Sequence, residues 1–142
     1  MRVTEVIPGL FIRGQLSETW SPQKAVDALL SEGITSVLSV SHRGEPMLEN
    51  TVVRYLHAPL SDGKHVPNYV DELATYVANQ VLDEQQILVT CRAGRNRSGL
   101  IIALAVRALK QISGSEALAL LRDRRPRAVA NPAFEAYLEK LV

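Results

Sequence analysis

The stretch LVTCRAGRNRSGLIIAL, residues 88–104, decides the fold, because it passes from a short apolar segment through a glycine-bearing loop into a long apolar segment. The first segment fits a buried strand, and the residues from Ser98 onward are apolar nearly all round, as in a buried helix. A loop at such a junction turns its backbone N–H groups inward, and the helix adds the positive end of its dipole. The stretch therefore predicts a binding site for a tetrahedral anion such as phosphate, built from Arg92, Ala93, Gly94, Arg95, Asn96 and Arg97.

Cys91, the only cysteine in the chain, ends the predicted strand and so lies beneath that loop. Neighbouring positive groups and a helix N-terminus stabilise a thiolate there. Arg97 can return over the bound anion, since its planar guanidinium matches two phosphate oxygens. The Ser98 hydroxyl is placed to reach the sulfur and to steady it when it leaves. A lone cysteine is more often a small buried hydrophobe, so the combined spacing, and not any single residue, indicates catalysis.

Strands and helices alternate along the rest of the chain. This order predicts an α/β fold with a central, mostly parallel sheet of four to five strands flanked by helices, with the loop between the last core strand and a buried helix. A hairpin turning at Pro8-Gly9 opens the chain, and Ser21 and Asn131 are candidate helix caps. The predicted later strands cover 34–41, 52–60 and 86–90, and the predicted helices cover 21–33, 66–82, 98–110, 113–125 and 131–142.

Composition limits the class of protein. The 142 residues, 46% of them hydrophobic, predict a single domain over residues 1–142. With 16 basic and 15 acidic residues the net charge is +1, which argues against a general nucleic-acid binder. One cysteine cannot form an intrachain disulfide, and the sequence has neither a signal-peptide core nor an apolar run of about 20 residues. We expect a cytoplasmic monomer with no membrane span, no cofactor and no metal.

The motif CRAGRNRS, with five residues between Cys91 and Arg97, resembles the cysteine-dependent protein tyrosine phosphatase superfamily, and its dual-specificity branch in particular. The segments EVIPGLFIRG, HAPLSDGKHVPNYVDEL and RPRAVANPAFEAYLEKL are similar to that branch in the same order. The resemblance implies a hydrolase for phosphotyrosine and phosphoserine or phosphothreonine in proteins, acting through a phosphocysteine intermediate. It makes Cys91 the nucleophile, Arg97 a phosphate ligand, Asp62 the general acid and then base, and Ser98 an aid to sulfur departure.

Two positions stay open at this point. Asp62 lies in SDG, a common turn sequence, and Asp71 is the rival acid, although it falls within a helical pattern that faces solvent. Thr90 stands where the family usually has histidine, and a hydroxyl bond within the loop is the replacement we expect.

The substrate class has several candidates. Arg92 and Arg95 resemble the basic residues with which relatives hold phosphoinositides, inositol phosphates or an RNA 5′-triphosphate, or else they face solvent or pair with nearby acids. Lys64 and His65 are expected near the pocket mouth, and the basic run at 122–127 is interpreted as a solvated helix end. Other classes are a silent phosphate-binding module, with phosphorylated proteins as partners, and a rhodanese-like sulfurtransferase.

Overall fold

A computed structural model describes residues 1–142 and contains one five-stranded sheet with helices on both faces. The strand order is β1-β2-β5-β3-β4, in which β1 and β2 are antiparallel and every other pair is parallel. The strands are β1 (Thr4–Ile7), β2 (Leu10–Gly14), β3 (Ser36–Ser39), β4 (Arg54–His57) and β5 (Ile87–Cys91). The helices are α1 (Pro22–Ser31), α2 (Val70–Leu82), α3 (Arg97–Lys110), α4 (Gly114–Arg124) and α5 (Pro132–Glu139). The predicted mostly parallel α/β fold is confirmed.

Strand β5 lies at the centre of the sheet, and all five of its residues are buried. Its side chains alternate between the two faces, because successive residues of a strand point to opposite sides. Val89 and Cys91 join the larger hydrophobic cluster, which includes residues of α2, α3, α4 and α5, whereas Leu88 joins the smaller cluster with α1. Cys91 and Thr90 therefore face opposite sides of the sheet.

The loops that follow β3, β4 and β5 meet at one edge of the sheet, because these strands are parallel. Ligands of open α/β sheets bind at this edge. The loops at residues 40–45, 58–69 and 92–96 therefore supply the candidate site. A short 3₁₀ helix at Pro46–Leu48, which the sequence did not predict, follows the first of them.

Helix boundaries agree with the caps identified in the sequence. Ser21 accepts a hydrogen bond from the Lys24 N–H at the start of α1. Helix α2 begins at Val70 instead of the predicted residue 66, after a turn at residues 68 and 69. Helix α3 begins at Arg97, one residue earlier than expected. None of the helices is long and apolar enough to cross a bilayer.

Candidate active site

The loop between β5 and α3 crosses directly over strand β2. Gly94 has a φ of 67°, and a Cβ on it would lie 2.3 Å from the carbonyl carbon of Arg13. A side chain would therefore clash as well as strain the backbone. Gly99 allows α3 to pack closely, since its Cβ would lie 2.9 Å from the nearest methyl of Val129.

The carbonyl groups of the loop are held from outside the cavity. The Arg92 carbonyl accepts from the Gln15 N–H, and the Arg95 carbonyl accepts from the Val129 N–H. The carbonyls between them are bound by Arg125. None of the backbone N–H groups of residues 92–96 donates to an acceptor within the chain. The loop thus keeps a set of free donors, which is the arrangement that binds an oxyanion.

Arg125 supports this loop through two hydrogen bonds. Its Nε donates to the Gly94 carbonyl at 2.5 Å, and its Nη2 donates to the Ala93 carbonyl at 3.2 Å. Burial lowers the pKa of Arg125, an effect that a charge on Cys91 opposes. Arg122 is also engaged, through an ion pair with Glu135 at 2.6 Å. The interpretation of 122–127 as a solvated helix end is wrong for these two arginines, because the chain after α4 folds back against the loop.

Cys91 lies at the floor of an open cavity of about 380 Å³, although only 2% of its surface is exposed. Its Sγ lies 3.1 Å from the Oγ of Ser98, which is fully buried. The structure therefore brings together the two residues that the motif paired. The cavity is lined by His42, Asp62, Cys91, Arg92, Ala93, Arg95, Asn96 and Arg97.

The loop after β4 carries Asp62 to this cavity. It is joined at two points to residues 92–97, which we call the phosphate loop because the sequence predicts that they bind phosphate. The Asn96 side-chain amide donates to Asp62 Oδ2 at 3.0 Å, and Arg97 Nη1 donates to the Leu60 carbonyl at 3.2 Å. Asp62 is exposed and lines the cavity of Cys91. All the residues for which the sequence predicted catalytic roles line this cavity or, for Ser98, touch the sulfur within it.

Asn131 also holds Asp62, a role that the sequence did not reveal. Its Nδ2 donates to Asp62 Oδ1 at 2.7 Å and to the Gly63 carbonyl at 2.9 Å. Its Oδ1 accepts from the Ala133 N–H at 2.9 Å and so caps α5 as predicted. Its own backbone N–H donates to Asn96 Oδ1 at 3.0 Å. One asparagine thus joins the loop after β4, the phosphate loop and the start of α5.

Asp71, the rival acid, lies elsewhere. It stands in the first turn of α2, where its carboxylate accepts from the Tyr137 hydroxyl at 3.2 Å. Burial raises the pKa of Tyr137, and the negative charge of Asp71 raises it further, so the phenol stays a donor. Asp71 does not line the cavity of Cys91. The geometry favours Asp62 over Asp71.

The side chain of Thr90 points away from the phosphate loop, and the expected bond within the loop is wrong. The Thr90 hydroxyl donates to Glu45 Oε2 at 2.8 Å, on the face of the sheet opposite Cys91. Glu45 has no exposed surface. It also accepts from Ser39 Oγ at 3.1 Å, from the Leu16 N–H at 2.8 Å and from Arg43 Nη2 at 3.2 Å. Nothing in the sequence marked Glu45, because its partners come from three separate segments.

The basic residues of the rim differ in their surroundings. Arg92 and Arg95 are exposed, and neither has an acidic partner within 4.0 Å, so the alternative that they pair with nearby acids is wrong. Lys64 lines an adjoining shallow cavity with Asp62, whereas His65 lines neither this cavity nor that of Cys91. The predicted position at the pocket mouth therefore suits Lys64 better than His65.

Sequence comparisons agree with the geometry. The model of the dual specificity phosphatase catalytic domain matches residues 19–141. Dual specificity protein phosphatase 15 of Mus musculus is 29% identical over 140 residues, a match that covers 97% of this chain and 57% of the relative. The Homo sapiens protein of the same name is 28% identical, with 95% and 44% covered. This chain spans about half the length of these mammalian relatives. Dual specificity protein phosphatase 1B of Arabidopsis thaliana is 27% identical, with 97% and 80% covered.

Solved structures show the same similarity. The crystal structure of DUSP15 superposes with a TM-score of 0.81 at 27% identity, covering 97% of this chain and 85% of that one. A mouse putative dual specificity phosphatase, crystallised with zinc tungstate, gives a TM-score of 0.78 at 25% identity, with 97% and 84% covered. Because the family model matches most of the chain, and the fold and the loop follow the same pattern, this chain belongs to the dual specificity phosphatase catalytic-domain family.

Proposed function

We propose that this chain hydrolyses phosphomonoesters in two displacements, with phosphotyrosine and phosphoserine or phosphothreonine of proteins as its substrates. One observation carries the proposal: Cys91, Arg97 and Asp62 line a single cavity of about 380 Å³, and the N–H groups of the loop between Cys91 and Arg97 have no acceptor within the chain. A nucleophile, a set of oxyanion donors and a proton donor are the groups that phosphoryl transfer to a thiolate requires.

In the first displacement the Cys91 thiolate attacks phosphorus, so that an S–P bond forms as the bond to the leaving oxygen breaks. Asp62 gives its proton to that oxygen. The loop N–H groups and the Arg97 guanidinium hold the three equatorial oxygens as their charge redistributes. The product is a phosphocysteine and the free alcohol or phenol.

In the second displacement water attacks the phosphocysteine, and Asp62 accepts the proton that the water loses. The O–P bond forms, the S–P bond breaks, and Cys91 departs as thiolate. The Ser98 hydroxyl, 3.1 Å from the sulfur, stabilises the departing charge by donating a hydrogen bond to it. The mouse relative forms a complex with zinc tungstate, and tungstate is a tetrahedral oxyanion like phosphate, which supports binding of such an anion by this fold.

The deciding experiment is release of p-nitrophenol from p-nitrophenyl phosphate by the wild-type chain and by Cys91→Ser. We expect turnover by the wild type and none by the variant. A Cys91→Ser protein that keeps full activity would falsify the proposal. Thiosulfate-to-cyanide transfer, measured in parallel, detects a sulfurtransferase, and an inactive wild type that still binds phosphopeptides indicates a silent binding module.

A second candidate substrate class is polyanionic, for instance an inositol phosphate, a phosphoinositide or an RNA 5′-triphosphate. It is favoured by Arg92 and Arg95, which are exposed at the cavity and unpaired. We expect polyanion turnover to fall in Arg92→Gln and Arg95→Gln, and to fall more steeply with salt than turnover of a phosphotyrosine peptide. Equal sensitivity of both substrates would remove this candidate.

A further inference from the structure

His42 lines the catalytic cavity from a loop that supplies none of the proposed catalytic residues. This loop, residues 41–45, connects β3 to the short 3₁₀ helix and lies beside the phosphate loop at the same sheet edge. We call it the His42 loop. Its five residues, SHRGE, lie outside the motif CRAGRNRS that contains Cys91 and Arg97.

Internal hydrogen bonds hold the His42 loop in one conformation. The Gly44 N–H donates to Ser41 Oγ at 3.0 Å, and His57 Nε2 donates to the Ser41 carbonyl at 2.7 Å. Gly44 has a φ of 70°, and a Cβ on it would lie 2.7 Å from the Tyr55 hydroxyl. At Gly44 the loop therefore packs directly against side chains of β4.

Glu45 fixes the same loop to the strand that carries the nucleophile. The Glu45 N–H donates to the Tyr55 hydroxyl oxygen at 2.7 Å, and the buried Glu45 carboxylate accepts from Thr90. Thr90 directly precedes Cys91. The hydrogen bond between Glu45 and Thr90 thus ties the His42 loop to the strand residue next to Cys91.

The side chain of His42 makes no hydrogen bond and no ion pair within the chain, and it is exposed. It is also the only ring that lines the cavity. The other lining residues supply positive charge, hydrogen bonds or small side chains, so recognition of the phosphate does not need the imidazole. For recognition of the group that carries the phosphate, His42 supplies the only aromatic surface in the cavity.

We propose that the His42 ring packs against the phenyl ring of phosphotyrosine and so determines the preference of this site for aryl over alkyl phosphates. The inference rests on the proposed phosphatase function and adds a specificity-determining residue to it. Offset-stacked or edge-to-face ring pairs contribute modestly beyond the area they bury, which corresponds to a preference of about 3- to 10-fold.

The test compares kcat/KM for a phosphotyrosine peptide and a phosphothreonine peptide with the same flanking sequence. In His42→Ala we expect the ratio of the two values to fall about 3- to 10-fold, through the phosphotyrosine value alone. His42→Phe, which keeps a ring but no polar nitrogen, retains the ratio. His42→Gln and His42→Lys, which keep polarity or charge but no ring, behave as His42→Ala. The matched control His65→Ala removes an exposed histidine outside the cavity and changes nothing.

Two results would overturn the inference. One is a ratio that His42→Lys retains and His42→Phe loses, which assigns the role to charge. The other is a ratio that stays at the wild-type value in His42→Ala, His42→Gln and His42→Lys, the three variants that lack a ring. Because His42 is exposed and unbonded, all variants should keep the melting temperature of the wild type. The same ratio measured as dissociation constants in a Cys91→Ser background tests His42 even if turnover, and with it the proposed function, fails.

Discussion

Two carboxylates flank the phosphate loop, and their surroundings give them different roles. Asp62 is exposed, lines the cavity and accepts hydrogen bonds only from the side-chain amides of Asn96 and Asn131. Glu45 has no exposed surface and accepts from hydroxyls, a backbone N–H and the Arg43 guanidinium. A carboxylate with all its acceptor positions occupied away from solvent holds structure, whereas one at a cavity in contact with water can move a proton.

The largest expected effect is a loss of turnover on substitution of Asp62, which distinguishes this residue from Glu45. Asp62→Asn removes the proton donor and keeps the shape, so kcat for a substrate with a poor leaving group should fall about 10²- to 10⁴-fold. The fall should be much smaller for p-nitrophenyl phosphate, whose leaving group needs little protonation. The control Asp71→Asn should keep wild-type turnover. An unchanged rate in Asp62→Asn would assign the acid to another residue.

The next largest expected effect is a loss of folding stability on substitution of Glu45, which tests its structural role. Glu45→Ala removes the buried acceptor shared by the Thr90 and Ser39 hydroxyls, the Leu16 N–H and the Arg43 guanidinium, and we expect it to lower the free energy of unfolding by about 3 kcal/mol. Urea titration measures this, and the variant that remains folded should lose far less kcat than Asp62→Asn does. If the protein does not fold, Glu45→Gln retains one acceptor oxygen and should lose less stability. A variant of normal stability with a catalytic defect equal to that of Asp62→Asn would reverse the two roles.

Substitutions of Thr90, which donates a hydrogen bond to Glu45, test the structural role of Glu45 a second time. Thr90→Val keeps the shape but removes the hydrogen bond to a buried charge, which should cost about 2 kcal/mol of unfolding free energy. Thr90→Ser keeps the hydroxyl and loses one methyl group, so about 1 kcal/mol is expected. Equal stability of Thr90→Val and the wild type, in the same urea titration, would show that the hydroxyl does not support Glu45.

The smallest effect concerns the partners of Asp62. Asn131→Ser keeps a cap on α5 but removes the amide donor to Asp62, so kcat for a poor leaving group should fall about fivefold with little change in stability. Asn131→Ala should lose the same activity and about 1 kcal/mol of stability as well. Neither substitution should lower the rate further in an Asp62→Asn background.

Ser113→Ala is the matched control for the Asn131 series, because it removes the cap of α4 without touching the site. It should lose stability and keep kcat. Rates for Asn131→Ser that equal the wild type would limit Asn131 to its role as a cap, and additive losses with Asp62→Asn would mean that it acts independently of Asp62.

The sequence was informative where the determining interactions are local. Cys91, Arg97 and Ser98 fall within eight consecutive residues, and the all-round apolar pattern of α3 requires burial wherever the helix lies. The N-caps Ser21 and Asn131 were also predicted, because a cap bonds to residues two or three positions away.

The remaining features depend on contacts between distant segments. Asn131 reaches Asp62 across 69 positions, Thr90 reaches Glu45 across 45, and Arg125 reaches Gly94 across 31. No pattern along the chain encodes these pairs. The sequence identifies Asn131 as a helix cap but does not indicate that its amide nitrogen also binds Asp62. The basic run that contains Arg125 likewise resembles a solvated helix end when its packing is not known.

The most direct test of the central claim is to trap the phosphocysteine. The Asp62→Asn variant, which lacks the base for the second displacement, is mixed with p-nitrophenyl phosphate, quenched in acid and digested for mass spectrometry. The mechanism predicts one phosphoryl group on the peptide that contains Cys91. It predicts none in the double variant that combines Asp62→Asn with Cys91→Ser. A phosphoryl group on any other residue, or turnover with no covalent phosphate on Cys91, would contradict it.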